Sequence, residues 1–366
     1  MPDFVPGLVL AERFYHDAVR PILDTKFPGV SHSAGLLGNG SEVLGFDTPV
    51  SCDHHWGPRA QIFLGEDDYA AHAEPIRDEL RRNLPHTFFG WATNFAEPNP
   101  ENHGTQLLRA TTSGPVHHRV EVVTPHGFLL DYLGFDLRDS LDPSDWLTFP
   151  SQKLRALSAG AVFHDAIGLE DVRARFAWYP RDVWLYLLAS GWMRIGQEEH
   201  LIGRAGQVGD EIGSALIAGR LVRDLMRLCF LMERQYAPYP KWYGTAFARL
   251  RAAGPLSSLL SQALRADLWP ERDRVLAEAY SVVAQMHNAL GLTETMPAVS
   301  ESFFERPFSV IFGERFAKAL SARVVDPYVR RIPLLMGGID QWSDSTDVLT
   351  AARLRVRLKS VYCPEE

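Results

Sequence analysis

Lysine is nearly missing from this chain of 366 residues: five lysines stand against thirty-two arginines among the 37 basic residues. Each lysine therefore draws notice, Lys241 in particular. Cysteine is scarce as well, and Cys52, Cys229 and Cys363 are an odd, widely spaced set in a chain too long to need disulfide staples. A disulfide framework is excluded, and a reducing compartment is expected. No stretch approaches the roughly 20 apolar residues that span a bilayer, and the start, MPDFVPGLVLAERF, has no basic segment leading into a long apolar run. The expectation is a soluble cytoplasmic protein. Basic excess is also absent, because 37 Lys and Arg face 45 Asp and Glu for a net charge of −8. No global field draws a nucleic-acid backbone, so nucleic acid is not the expected partner and any anion site must be local.

What is present is ordinary globular material, with 46% hydrophobic and 22% charged residues, which excludes disorder as the main state. At roughly 100–200 residues per domain, the length allows two domains or one large one. Apolar residues at helical spacing predict a first helix from Val9 to Phe27, kinked at Pro21. Ser33 to Leu37 reads as a strand running into the turn Gly38-Asn39-Gly40-Ser41, and Asp53 to Leu64 as a second strand. A helix over 68–84 follows, then strands at 87–93, 106–110 and 117–124. Beyond Asp142-Pro143-Ser144-Asp145 long helical periods take over, the clearest at 181–195, 208–235, 240–253 and 270–290. The fold class expected is α+β, with a mixed-sheet domain over residues 1–145 followed by an all-α helical bundle over 146–366.

The stretch densest in functional residue types is GNGSEVLGFDTPVSCDHHWGPR, Gly38 to Arg59. Gly40-Ser41 closes a strand ahead of a short turn, so its backbone N–H groups are placed to cradle a phosphate. Twelve residues after Ser41 stands Asp53, followed by His54 and His55. On a strand Asp53 and His55 share one face while His54 points away. The spacing of a glycine-serine turn and an acidic strand residue resembles the polymerase-β type of nucleotidyltransferase, where Gly-Ser is followed about a dozen residues later by Asp-x-Asp/Glu. Together with YPRDVWLYLLASGW, GRAGQVGDEIGS, ERQYAPYPKWYGTAF, ERPFSVIFGERFAKAL and MGGIDQWSDSTDVL, it resembles a largely uncharacterised bacterial family with an N-terminal nucleotidyltransferase fold and a helical C-terminal half.

The resemblance implies transfer of a nucleoside monophosphate, AMP from ATP or another nucleoside triphosphate, onto a small-molecule hydroxyl. It also implies Mg or Mn held by Asp53, His55 and a third carboxylate, since divalent ions hold phosphate oxygens during in-line attack. His55 departs from the pattern, standing where a second carboxylate is expected, and imidazole suits Zn or Mn better than Mg. A catalytically silent nucleotide-binding or regulatory protein is thus a second expectation. Glu121 in RVEVVT is the candidate third carboxylate or general base, with Asp131 the alternative; a plain solvent-facing strand charge is the bland account of Glu121. Arg59 can grip a phosphate through its planar fork, or lie on the surface. Lys241, in Pro240-Lys241-Trp242, is by resemblance a cation for the triphosphate, and otherwise a side chain lying over Trp242 and Tyr243.

Arg204 and Asp210, in GRAGQVGDEIG, are candidates for acceptor binding, although the glycine steps read more readily as a close helix junction, and no Lys-Ser/Thr end makes a P-loop. Asp340, Asp344 and Asp347 resemble a metal loop in composition but suit caps and turns at least as well. The pairs His54-His55 and His117-His118 offer at most one zinc ligand per strand face. Asp53-His54-His55 also spells the motif of Mn-dependent phosphoesterases, although no upstream Asp-x-Asp accompanies it. Gly-x-Ser-x-Gly is absent, which excludes the usual serine-hydrolase elbow.

Overall fold

The computed structural model describes residues 2–52, 54–102 and 104–363. Along the chain run α1 (Gly7–Phe14), a π-helical turn (Tyr15–Val19), α2 (Arg20–Lys26), β1 (His32–Leu36), β2 (Arg59–Leu64), α3 (Glu66–Asn83), β3 (Thr87–Phe88), β4 (Trp91–Ala92), β5 (Arg119–Val123) and α4 (Pro125–Leu133). Then follow α5 (Pro143–Thr148), α6 (Ser151–Ala159), β6 (Ala161–His164), α7 (Leu169–Ala174), α8 (Arg181–Glu198), α9 (Leu201–Gln207) and α10 (Glu211–Met232). Farther on come α11 (Tyr243–Phe247), α12 (Ala253–Arg265), α13 (Trp269–Ala289), β7 (Glu301–Ser302), β8 (Ser309–Val310) and α14 (Gly313–Ser321), with short helical turns beyond. The fold is α+β, with a mixed sheet in the N-terminal part and a helical C-terminal half. Contacts divide the chain into two compact units, Met1–Ser140 with Lys153–Ala177, and Leu141–Gln152 with Trp178–Glu366.

In the first unit the sheet order is β5-β2-β1-β6; β1 runs antiparallel to both neighbours, and β2 runs parallel to β5. Strand alternation sorts its residues between two faces. Ala34, Ala60, Ile62, Leu64, Val120 and Val122 bury one face against Phe14, Tyr15, Val19, Ile76 and Leu80. Each of the larger of these side chains, Val, Leu, Ile or Phe, contributes about 1.5–3 kcal/mol by leaving water. The parallel register sets Arg59 beside Arg119 and Gln61 beside Glu121, so these four share the opposite face. A glycine turn follows β1 at the same end.

Several expected elements are corrected. Pro21 has no N–H to give back to the preceding turn, and the helix predicted over 9–27 loosens into the π-helical turn at 15–19 between α1 and α2. The strand expected from Asp53 begins only at Arg59. Gly57 sits at φ +147° and Pro58 has no donor for a ladder, while His55 itself adopts φ +54°. His54 and His55 therefore lie in a bend, and the strand argument for their facing does not apply. The strand expected over 87–93 is a tight hairpin, because Phe89 and Gly90 both take positive φ, at +48° and +80°. The strand expected over 106–110 reduces to an isolated bridge between Phe95 and Leu108. In the other direction, β6 lies past residue 145 and pairs with β1; its four half-buried residues are too short a run to announce a strand.

In the second unit α8 is buried along most of its length, and it packs on α10 and α14. The helix expected over 240–253 is divided into a 3-10 turn (Pro240–Trp242), α11 and the start of α12. The helical half also carries the two-residue strands β7 and β8, paired antiparallel. Trp192 on α8 stacks on Phe316 of α14, with centroids 4.2 Å apart at 16°, and His287 of α13 meets the Phe316 ring edge-on at 5.0 Å. Two glycines permit this approach: a Cβ on Gly196 would lie 2.7 Å from Glu314 N, and one on Gly313 would lie 2.7 Å from Gly196 N. Those obstacles are backbone, which cannot swing aside. Gly196→Ala is accordingly expected to cost about 1–3 kcal/mol through separation of the two helices. The check is a lower urea midpoint with unchanged slope. An unaltered midpoint would show that the backbones have room to part.

Candidate functional site

The polar face of the first unit gathers at the end of β1 where the chain turns through Gly38, Asn39, Gly40 and Ser41. Gly38 takes φ +87° and its N–H reaches Ala156 O on α6 at 3.3 Å. Gly40 takes φ +144°, and a Cβ there would run into the Arg59 guanidinium and the Glu42 carboxylate. Glycine is thus required at position 40 for both conformation and space. Arg59, 8% exposed, donates from Nε to Glu42 Oε1 at 2.8 Å and from Nη2 to Asn39 O at 2.7 Å, bracing the turn against β2. Glu42 is buried too, and Arg59 Nη2 lies 2.5 Å from its Oε1. Charge-assisted bonds of this kind hold both groups in place.

Gln61 accepts the Leu37 N–H at 2.8 Å on Oε1, which fixes its amide and turns Nε2 toward Glu121 Oε2 at 3.1 Å. Glu121 is otherwise exposed. It is the carboxylate that this face presents to water. Next along β5, Arg119 donates from Nη1 to His55 Nδ1 at 2.6 Å, with its guanidinium carbon 5.7 Å from the Phe95 ring centroid. Burial first, then Arg119, His54 and Arg59, push the His55 pKa below its ordinary value. A neutral His55 whose Nδ1 accepts from Arg119 carries its own proton on Nε2. In this tautomer Nδ1 is engaged by Arg119, and Nε2 has an N–H to offer an anion.

Asp53, the first of the expected metal ligands, lies outside the described residues. Among the described residues no three His, Cys, Asp or Glu side chains come together in a way that could hold a metal ion. Gly40, Ser41, Arg59 and Glu121 all belong to the first unit and its sheet end. The sequence argument missed Glu42, Gln61 and Arg119, which complete this face. It also missed Lys153, which is 8% exposed, donates to Tyr132 O at 2.5 Å and lies 5.1 Å from the Tyr132 ring centroid. Burial pulls its pKa down to about 8. Tyr132 in turn borders Gly38, since a Cβ there would sit 3.5 Å from the Tyr132 ring. The scarcity of lysine was the available signal for it.

Lys241, Arg204 and Asp210 belong to the second unit. Lys241 sits in the 3-10 turn with Nζ 5.0 Å from the Trp242 ring centroid, a cation over an aromatic face. Arg204 is exposed on α9. Asp210 caps α10, accepting the Gly213 N–H at 2.7 Å. The glycines around them allow close packing: Gly203 lies against Phe308 and Gly206 against Trp269. Asp340 accepts the Ser151 N–H at 2.8 Å, and Asp344 makes an exposed ion pair with Arg223 at 3.1 Å. No helix of the described residues is long and apolar enough to cross a membrane.

A family described as "Domain of unknown function (DUF4037)" matches residues 146–243. No curated protein matches the chain. Among solved structures, a nucleotidyltransferase-like protein from Exiguobacterium sibiricum is similar over 86% of this chain and 90% of that one, with 11% sequence identity and a TM-score of 0.35.

Proposed function

We propose that the first unit binds a nucleoside triphosphate, ATP in the first instance, and transfers its nucleoside monophosphate to a hydroxyl of a small molecule. The observation that carries this reading is the glycine turn at 38–41 set at the same sheet end as two registered arginines, Arg59 and Arg119, and an exposed carboxylate, Glu121. Backbone N–H groups of Gly40 and Ser41 would take phosphate oxygens, with Arg119 and the His55 Nε2–H as further donors. In the step itself the acceptor oxygen forms a bond to the α-phosphorus while the bond from that phosphorus to the bridging oxygen breaks and pyrophosphate leaves. Glu121 would receive the hydroxyl proton. No part of this step is routed through a metal.

A second reading, nucleotide binding without turnover, is favoured by His55, which meets Arg119 where the resemblance expects a carboxylate. One experiment separates the two. Calorimetry with ATP, GTP, CTP and UTP, each with Mg, with Mn and with neither, is run on the protein and on Asp53→Ala, beside an assay for released pyrophosphate across hydroxyl acceptors. By the resemblance Asp53 would hold the divalent ion that neutralises phosphate charge, so transfer predicts saturable binding together with acceptor-dependent pyrophosphate that Asp53→Ala abolishes. Binding without pyrophosphate under any acceptor favours the silent reading. No binding of any nucleotide removes both.

A further inference from the structure

The face of the sheet opposite the glycine turn holds an opening that the proposed reaction does not use. In the first unit a cavity of about 240 Å³ is walled by Leu23 of α2, Phe27 at its C-cap, Ile62 and Leu64 of β2, and Ile76 of α3. The hollow is half open to solvent, with an apolar floor and a more polar mouth, so a bound molecule would bury one end and keep the other in water. Two polar residues also line it. His32 directs one ring nitrogen to the Tyr15 hydroxyl at 2.9 Å and is further engaged by the Val30 backbone, so it contributes ring surface rather than a hydrogen bond to an incoming molecule. Asp24 is exposed, and its pair with Arg20 is a long one at 3.5 Å between two largely solvated groups. Such a pair is weak and easily exchanged. Of the lining residues, Asp24 alone carries a formal charge when His32 is neutral.

We propose that this cavity binds a small hydrophobic amine of about ten heavy atoms or fewer, its apolar body among the aliphatic walls and its ammonium on Asp24. Ile62 and Leu64 alternate along β2 with Gln61 and Phe63, so the ligand would lie behind the strand whose other face carries the candidate phosphate site. The inference does not depend on the nucleotidyl reading.

The test uses the full chain and two probes of matched shape, 2-phenylethylamine and ethylbenzene, titrated by calorimetry and followed by amide and methyl chemical shifts. Saturable binding of the amine is expected, with ethylbenzene about tenfold weaker, and Asp24→Asn should bring the amine down to the level of ethylbenzene. Shifts should gather at Ile62, Leu64 and Ile76. Ile76→Phe, which fills the hollow, should abolish binding of both probes. Asp24 is at the surface, so its variant remains informative if Ile76→Phe fails to fold. No saturable binding of either probe, equal amine affinity in Asp24→Asn, or undiminished binding in a folded Ile76→Phe would each overturn the proposal.

Discussion

Asp224→Ala is expected to destabilise the helical unit by about 3–5 kcal/mol, the usual consequence of removing one partner from a buried charge network. The Asp224 side chain is 3% exposed on α10 and serves two arginines. Its Oδ2 accepts from Arg194 Nε of α8 at 3.1 Å, and its Oδ1 accepts from Arg227 Nη1 at 3.2 Å, one turn along its own helix. Alanine would leave two guanidiniums without their carboxylate between two packed helices, each of them mostly shielded from water. The loss should appear as a lower urea midpoint for the helical unit at constant slope. Asp224→Asn keeps an acceptor oxygen but offers an N–H to the second guanidinium, so it should fall between the two. Exchanging all three residues for well-packed apolar ones should recover only part of the loss, because Arg227 also faces the buried Asp340, which would then lose its cation. A cost below about 1 kcal/mol for Asp224→Ala would mean that water screens the pair as it does at an open surface.

Local chemistry was legible in the sequence where one residue's conformation decided the outcome. RVEVV alternates, and β5 forms there with Val120 and Val122 inward. Pro21 marks the disturbance of the first helix, and Gly57-Pro58 marks where β2 cannot yet have begun. Taking Asp53 to Leu64 as one strand overlooked that second signal and led to a facing for His55 that the bend at φ +54° does not allow. The rest of the site was hidden because it is tertiary. Glu42 meets Arg59 across 17 positions, and Lys153 reaches Tyr132 across 21. Arg119 was within reach of the sequence argument, since it stands two residues before Glu121 and must share its face on any strand. Single glycines such as Gly196 and Gly313 carry no sign of which backbone will approach them. Likewise, a four-residue strand such as β6 is too short for periodicity to find.

Arg119→Met is expected to weaken nucleotide binding roughly 10- to 100-fold, the worth of one charge-assisted hydrogen bond to a shielded anion, about 1.5–3 kcal/mol. Arg119 is half-buried and registered beside Arg59, yet the two are differently employed. Arg59 is paired with a buried carboxylate and holds the turn, whereas Arg119 meets a neutral imidazole and retains its charge for an anion. Methionine keeps the length and much of the packing on Phe95. A second consequence follows for His55: the Arg119 charge helps hold its pKa down after burial, so Arg119→Met should raise it toward the ordinary value, as a histidine proton titration would show. Arg119→Lys should keep the low pKa through its charge while losing much of the binding, because a single ammonium cannot serve His55 and a phosphate with the same fork. Nucleotide affinity unchanged in Arg119→Met, with the His55 titration shifted as expected, would remove Arg119 from the phosphate site and leave it as the residue that positions His55. His55→Asp adds the complementary case. A carboxylate there would pair with Arg119 and neutralise it, so binding without metal should weaken. If that variant gained metal-dependent release of pyrophosphate, His55 would be the residue that keeps the native site silent.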